Sequence, residues 1–320
     1  MIRGRLAPSP TGALHLGNAR TFLLAWLSIR AQGGSVVLRV EDLDGPRIKS
    51  GAVESAIEDL RWLGLDWDEG PDRGGPHGPY VQTDRTALYE IAIGNLSKQG
   101  LVYPCVCTRG DIERAASAPH PGEEGPRYPG TCRDRFDSEE AASTVASRPP
   151  AIRFRVRPGP IAFQDLQHGP LAIDVADQVG DFVVRKGNGT AAYQLAVVVD
   201  DAAMGISEVV RGDDLIASTP RQLLLYEALD LTAPTFRHVP LVVGPDGRRL
   251  AKRHGDTRIA TFRKQGFTAS QLVGLLAFWS GLSPRGSECM PPDLVSSFDW
   301  NHVPRDLITW RGELGSKNPQ

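Results

Sequence analysis

The sequence predicts an α/β fold built on a parallel sheet. Three observations carry this. Short apolar strands alternate with segments whose apolar residues recur at helical spacing, as in a sheet covered by crossover helices. The first strand ends in a Pro/Gly-rich turn, Ala7-Pro8-Ser9-Pro10-Thr11-Gly12, and a helix opens just beyond it at His15-Leu16-Gly17-Asn18. Glu41 and Asp42 fall at the C-terminal end of the second strand, the edge where open parallel sheets bind their ligands.

The elements follow in order. Ile2 to Leu6 reads as a strand. Ala19, Phe22, Leu23, Trp26 and Leu27 mark the first helix, which Gly33-Gly34 stops. Ser35 to Val40 is the second strand. Val53, Ala56, Ile57 and Leu60 mark a second helix, and Leu88, Ile91 and Leu96 a third. From about Tyr103 to Pro150 the alternation breaks into a Pro-, Gly- and charge-rich stretch that reads as an insertion. The α/β pattern resumes at Phe182-Val183-Val184, continues from Tyr193 to Val199, and returns at Glu208-Val209-Val210. Ser218-Thr219-Pro220 is a helix start, with a capping hydroxyl and a proline near the first turn. His238 to Val243 is a further strand, and Leu272, Leu275, Leu276 and Trp279 place a helix beyond it. The last stretch carries little pattern and is expected to be mobile.

Composition bounds the function. The chain has 320 residues, with 36 Lys and Arg against 38 Asp and Glu, for a net charge of −2. That excludes a broadly basic surface, although a local Lys/Arg cluster suffices for RNA phosphates. The length suggests about two domains of ~100–200 residues each. No apolar run reaches the ~18 residues of a membrane span, and no signal-peptide pattern opens the chain. A cytoplasmic protein without a membrane partner is therefore expected. Of the four cysteines, Cys105, Cys107 and Cys132 lie close together, which in a cytosolic chain reads as metal binding before disulfides. Three thiolates need one further ligand to complete a tetrahedral zinc site. Cys289 is remote from them.

Two segments point to phosphate chemistry. A helix N-terminus presents N–H groups and a positive dipole end to an anion, and His15 can hydrogen-bond phosphate oxygens as charge grows on them. Gly244-Pro245-Asp246-Gly247-Arg248-Arg249-Leu250-Ala251-Lys252-Arg253-His254 is a strongly basic loop after a strand. Paired with the opening turn, it reads as a lysine-bearing clamp over phosphates rather than a solvated face.

Arg5 to Asn18 resembles the "HIGH" region of the class I aminoacyl-tRNA synthetases in its glutamyl version, and Arg249 to Arg253 resembles their "KMSKS" loop. The blocks Glu41-Asp42-Leu43-Asp44, Tyr193 to Asp201 and Val210 to Leu215 are similar to glutamyl-synthetase blocks, in the same order. The similarity covers about Arg5 to Leu282. Asn18 stands where the last histidine of the first signature often sits, and Ala251 replaces the serine of the second.

The resemblance implies a Rossmann-like catalytic domain over residues 1–245, interrupted at about 101–180 by a zinc-bearing insertion. A helical stem-contact-like segment over 246–300 carries the KMSKS-like loop, and 301–320 form a tail. It implies His15 and Lys252 as catalytic groups. ATP, with Mg²⁺, would be bound by His15, Gly17, Asn18 and Lys252. L-glutamate would be bound by Arg5, Leu6, Ala7, Pro8, Ser9, Glu41, Tyr193 and Arg211. The family's Cys-x-Cys…Tyr-x-x-x-Cys zinc pattern selects Cys105, Cys107, Tyr128 and Cys132, with His120 as the rival for the fourth place.

Little of the chain follows the helix near Leu272 to Leu282, so no anticodon-binding domain is expected. This resembles the truncated glutamyl-queuosine tRNA(Asp) synthetase family. It implies a monomer that activates glutamate without tRNA and esterifies queuosine in the anticodon loop of tRNA(Asp). Two alternatives stand beside it: a short glutamyl-tRNA synthetase charging the 3′ end, and an inactive synthetase-like RNA-binding module.

Overall fold

The computed structural model describes residues 2–43, 51–115, 126–248, 250 and 255–312. Strand β1 (Arg3–Leu6) is followed by α1 (Leu16–Ala31) and then β2 (Ser35–Leu38). β1 and β2 pair in parallel, with Arg3 opposite Ser35 and Leu6 opposite Leu38. Helix α1 packs closely on β1 because residue 4 is glycine. A Cβ there would lie 2.5 Å from Cγ1 of Ile29.

Next come α2 (Ala52–Trp62) and α3 (Thr86–Lys98). The buried face of α3 is Tyr89, Ala92, Ile93 and Leu96, while Leu88 and Ile91 point to solvent. The helix is where the apolar spacing predicts it, but rotated from the predicted face. The Tyr89 hydroxyl reaches inward to Asp200, and the i, i+3, i+4, i+7 stripe that begins at Tyr89 goes with it.

The segment between the two halves of the pattern holds β3 (Val102–Cys105), α4 (Arg109–Ala115), α5 (Glu139–Ala146), β4 (Ala151–Phe154), β5 (Ile161–Asp165), β6 (Gly169–Ile173), α6 (Val175–Gln178) and β7 (Val183–Arg185). β3, β4 and β7 form an antiparallel sheet. The second half then runs α7 (Tyr193–Ala203), β8 (Glu208–Gly212), α8 (Ser218–Ala228), β9 (Thr235–Val239) and β10 (Val242–Val243). The larger sheet has the order β6-β5-β9-β8, parallel from β5 to β8. Its β8 edge meets β1, where the Ser207 N–H donates to the Arg3 carbonyl at 2.9 Å. The chain closes with α9 (Ile259–Lys264), α10 (Ala269–Trp279), α11 (Pro291–Val295) and β11 (Ile308–Thr309).

Three local expectations are corrected. Ser218 does not cap α8. The helix continues from a 3₁₀ turn at Asp213–Leu215, so Ala217 at the N-cap is already helical and the first turn leaves the Ser218 hydroxyl to accept from Gln194 and Arg221. The strand predicted from His238 to Val243 is split, because Pro240 has no N–H for a ladder. Its carbonyl instead accepts from buried Arg20 at 2.7 Å. Residues 301–312 are not a loose tail. β11 pairs in parallel with β10, and Trp310 packs edge-on against Trp279 with ring centroids 5.6 Å apart. A two-residue strand is too short to leave a periodic signal.

Candidate active site

A cleft of about 580 Å³ opens where β1, β2 and β8 end. Parallel strands bring their C-terminal ends to one edge, so residues far apart in sequence converge there. Arg5, Ala7, Pro8 and Ser9 line it from β1 and its turn, and Gly17 and Asn18 from the first turn of α1. Glu41, Tyr193 and Arg211 close its inner wall. Leu6 differs from the expectation: its side chain is fully buried in the core and does not line the cleft.

His15 lines the cleft as the N-cap of α1, where Nδ1 accepts from the Asn18 N–H at 3.4 Å. A Cβ on residue 17 would sit 3.2 Å from the His15 ring, so glycine keeps this corner open. Lys252 and His120 lie outside the described residues. The described residues beside the basic loop reach the cleft. Leu250 lines it, and the chain re-enters beside α1, where the Leu16 N–H donates to the Thr257 carbonyl and the Ile259 N–H to the Leu14 carbonyl.

A buried ionic network stands behind the inner wall. Arg39 donates to Asp201 at 2.6 Å and to Glu41 at 2.9 Å. Arg5 lies 3.5 Å from Asp201 and donates to the Val210 carbonyl. Asp200 accepts from Arg85, Gln82 and Tyr89 at 2.5, 2.8 and 2.9 Å. Burial raises the pKa of the Glu41 carboxyl, with Arg39 and Arg5 opposing. Burial also lowers that of Arg211, with the Arg5 charge adding to it. Burial keeps the Tyr193 phenol protonated by raising its pKa. The wall therefore offers two guanidinium groups and one carboxylate to a ligand. That set suits a molecule with one cationic and more than one anionic group.

A second cluster lies in the inserted segment. The Cys105, Cys107 and Cys132 sulfurs lie within 4.8 Å of one another, with Cys107 and Cys132 at 3.5 Å. Zinc–sulfur bonds of about 2.3 Å in a tetrahedron put sulfurs about 3.8 Å apart, so this set fits the ion. The Tyr128 hydroxyl is 3.3 Å from Cys105 and 3.9 Å from Cys107, within the same cluster. Burial and the Cys105 sulfur push the Cys107 thiol up to about 12. Arg153 lies over the Tyr128 ring at 3.7 Å and donates to Cys105 at 3.2 Å, a cationic support for anionic ligands.

The family described as tRNA synthetases class I (E and Q), catalytic domain, matches residues 1–307. The chain belongs to that family.

Among these class I synthetase relatives, the glutamyl-Q tRNA(Asp) synthetase of Symbiobacterium thermophilum is 51% identical, over 96% of this chain and 95% of its own. Its counterpart from Nitratidesulfovibrio vulgaris is 49% identical, over 97% and 96%. The glutamate–tRNA ligase 2 of Syntrophus aciditrophicus is 43% identical, over 98% of this chain but 66% of its own. A crystal structure of a glutamate tRNA ligase from Elizabethkingia meningosepticum, in complex with its amino acid, superposes with a TM-score of 0.82 at 28% identity. It covers 98% of this chain and 67% of that one.

In this class I synthetase chain the motifs supply the cleft wall but not what supports it. Arg39, Arg153, Asp165 and His238 belong to none of those motifs. The available signal was an ionisable residue inside an apolar strand, as in Ser35-Val36-Val37-Leu38-Arg39-Val40. Such a group is buried only with a partner.

Proposed function

We propose that this protein activates glutamate with ATP, without tRNA, and transfers it to queuosine in the anticodon loop of tRNA(Asp). The observation that carries the reading is the cleft wall. Arg5 and Arg211 face the cavity beside Glu41, a match to glutamate's carboxylates and ammonium. Near-complete mutual coverage with the glutamyl-Q relatives supports the acceptor.

In the first step an oxygen of the glutamate α-carboxylate bonds to the α-phosphorus of ATP. The bond to the β-phosphate oxygen breaks, and pyrophosphate departs with that electron pair. In the second a queuosine hydroxyl oxygen attacks the acyl carbon, AMP leaves, and the hydroxyl proton passes to the departing phosphate. Catalysis of this kind is mostly positioning and donors aimed at growing charge. Arg211 and Arg5 hold the substrate carboxylates, Glu41 and Tyr193 the ammonium end, and Ser9 the same pocket. The start of α1, with His15, Gly17 and Asn18, and Lys252 attend the phosphates. Mg²⁺, when bound, neutralises the β- and γ-phosphate oxygens. Cys105, Cys107, Cys132 and Tyr128 would hold a structural zinc ion.

The test is glutamate-dependent ATP–pyrophosphate exchange without tRNA, followed by transfer of labelled glutamate to tRNA(Asp) with and without queuosine. Exchange plus queuosine-dependent transfer is expected. Transfer to the 3′ end of tRNA(Glu) instead would establish a short glutamyl-tRNA synthetase, and absence of exchange would leave an RNA-binding module.

A further inference from the structure

Arg211 is buried on β8, and its guanidinium makes three kinds of contact. Nη2 donates to the Thr219 hydroxyl at 2.9 Å and to the Leu215 carbonyl at 3.5 Å. Nε donates to Nε2 of His238 at 3.0 Å. Phe236 lies against the group, 5.2 Å from ring centroid to Cζ. Nη1 is buried and has no hydrogen-bond partner, and Arg211 lines the cleft.

These contacts dictate the state of His238. An arginine Nε–H can only donate, so Nε2 of His238 must carry its lone pair. The proton is then on Nδ1, which lies 2.6 Å from Oδ2 of Asp165. Asp165 is committed to accepting. Its Oδ1 receives the Gln167 and His168 N–H groups at 2.9 and 2.8 Å, and its Oδ2 also receives the His238 N–H. The ring is fully buried between β5, β8 and β9, and burial lowers its pKa, which keeps it neutral.

We propose that Asp165 and His238 are positioning residues that aim Nη1 of Arg211 at the side-chain carboxylate of the amino-acid substrate. A carboxylate in direct contact with Arg211 would neutralise the charge that the substrate needs. The neutral imidazole stands between instead. It fixes the guanidinium plane through Nε, keeps the Asp165 charge one ring away, and leaves Nη1 cationic and unshared. The selected ligand class is an amino acid with an anionic side chain, against its neutral amide. This inference rests on the glutamate-activating reading.

The experiment compares wild type, His238→Leu and His238→Gln in ATP–pyrophosphate exchange, with glutamate and glutamine as substrates. A hydrogen bond to a charged group is worth about 1.5–3 kcal/mol, about 10- to 100-fold. His238→Leu is expected to raise the KM for glutamate by about that factor, leave the KM for ATP within about twofold, and narrow the preference for glutamate over glutamine. His238→Gln supplies an amide oxygen that can accept from Arg211, and it is expected to recover most of the loss. An unchanged glutamate KM in folded His238→Leu, or equal rises for glutamate and ATP, overturns the proposal. If the variants do not fold, ¹⁵N imidazole shifts of wild-type His238 decide it. A protonated Nδ1 with bare Nε2 is expected, and a protonated Nε2 at neutral pH overturns it. Wild type without glutamate-dependent exchange defeats the functional reading instead, and the ¹⁵N measurement still decides the geometry.

Discussion

Arg39 donates to Asp201 at 2.6 Å, and neither side chain is more than 1% exposed. Arg39 joins the end of β2 to α7 and holds Glu41 at the cleft with its other nitrogen. Arg39→Met leaves two buried aspartates and Glu41 short of a cation. Breaking a buried pair from one side costs about 3–5 kcal/mol. Urea unfolding is expected to show that loss, with part recovered in Arg39→Met/Asp201→Asn. No recovery in the double variant would mean the pair is not coupled.

Arg211→Lys keeps a charge but loses the fork that engages His238 and Thr219 together. Under the proposed function, kcat/KM for glutamate is expected to fall by about tenfold or more in pyrophosphate exchange, with ATP binding retained. Equal losses for both substrates would place Arg211 in folding rather than selection.

Gly17 faces the His15 ring across a 3.2 Å gap to any added Cβ. Gly17→Val is expected to lower kcat/KM for ATP on the order of 10- to 100-fold by displacing that corner. Isothermal titration with a non-hydrolysable ATP analogue checks this directly, and unimpaired binding would remove residue 17 from the phosphate site.

Zinc is expected at about one equivalent per chain, lost in Cys105→Ser, with a lower melting temperature after chelation. A Cys107 thiol near 12 without metal must release its proton on binding, so affinity should rise with pH. Tyr128→Phe is expected to weaken binding and His120→Ala to leave it unchanged. The reverse result would exchange the fourth ligand.

Glu69 accepts from Arg3 and from the Tyr80 hydroxyl at 2.6 Å, with Nδ1 of His77 2.9 Å away. Burial opposes its charge, but these bonds prevail and hold the carboxyl at about 2, below its usual 4.5. A lowered carboxyl pKa stabilises the fold above the unfolded value, and that contribution is lost as protons bind. The stability gap between wild type and Glu69→Gln should be full above pH 4.5 and close toward pH 2. A gap that does not change with pH would contradict this.

Much of the cleft was legible in the sequence, because strand, turn and helix signals are local. Pro8, Gly12 and Gly17 mark the turn and helix start, and Arg5, Glu41 and Arg211 sit at strand ends in recognisable blocks. The three cysteines pointed to a cluster by spacing alone, and their sulfurs lie within 4.8 Å of one another. The rest depended on long-range partners. Leu88 and Ile91 fit a helical stripe as well as Tyr89 does, and only Asp200, on another helix, turned Tyr89 inward. Trp310 became core because Trp279 and β10 were there to meet it. By itself the sequence determined the parallel α/β framework and most of the described side chains that line its cleft, Leu6 excepted, since backbone periodicity and turn chemistry are written residue by residue. Only the tertiary structure decided how those side chains are held. The chain from Asp165 through His238 to Arg211 joins three strands, and a hydrogen bond between strands exists only once the sheet has assembled.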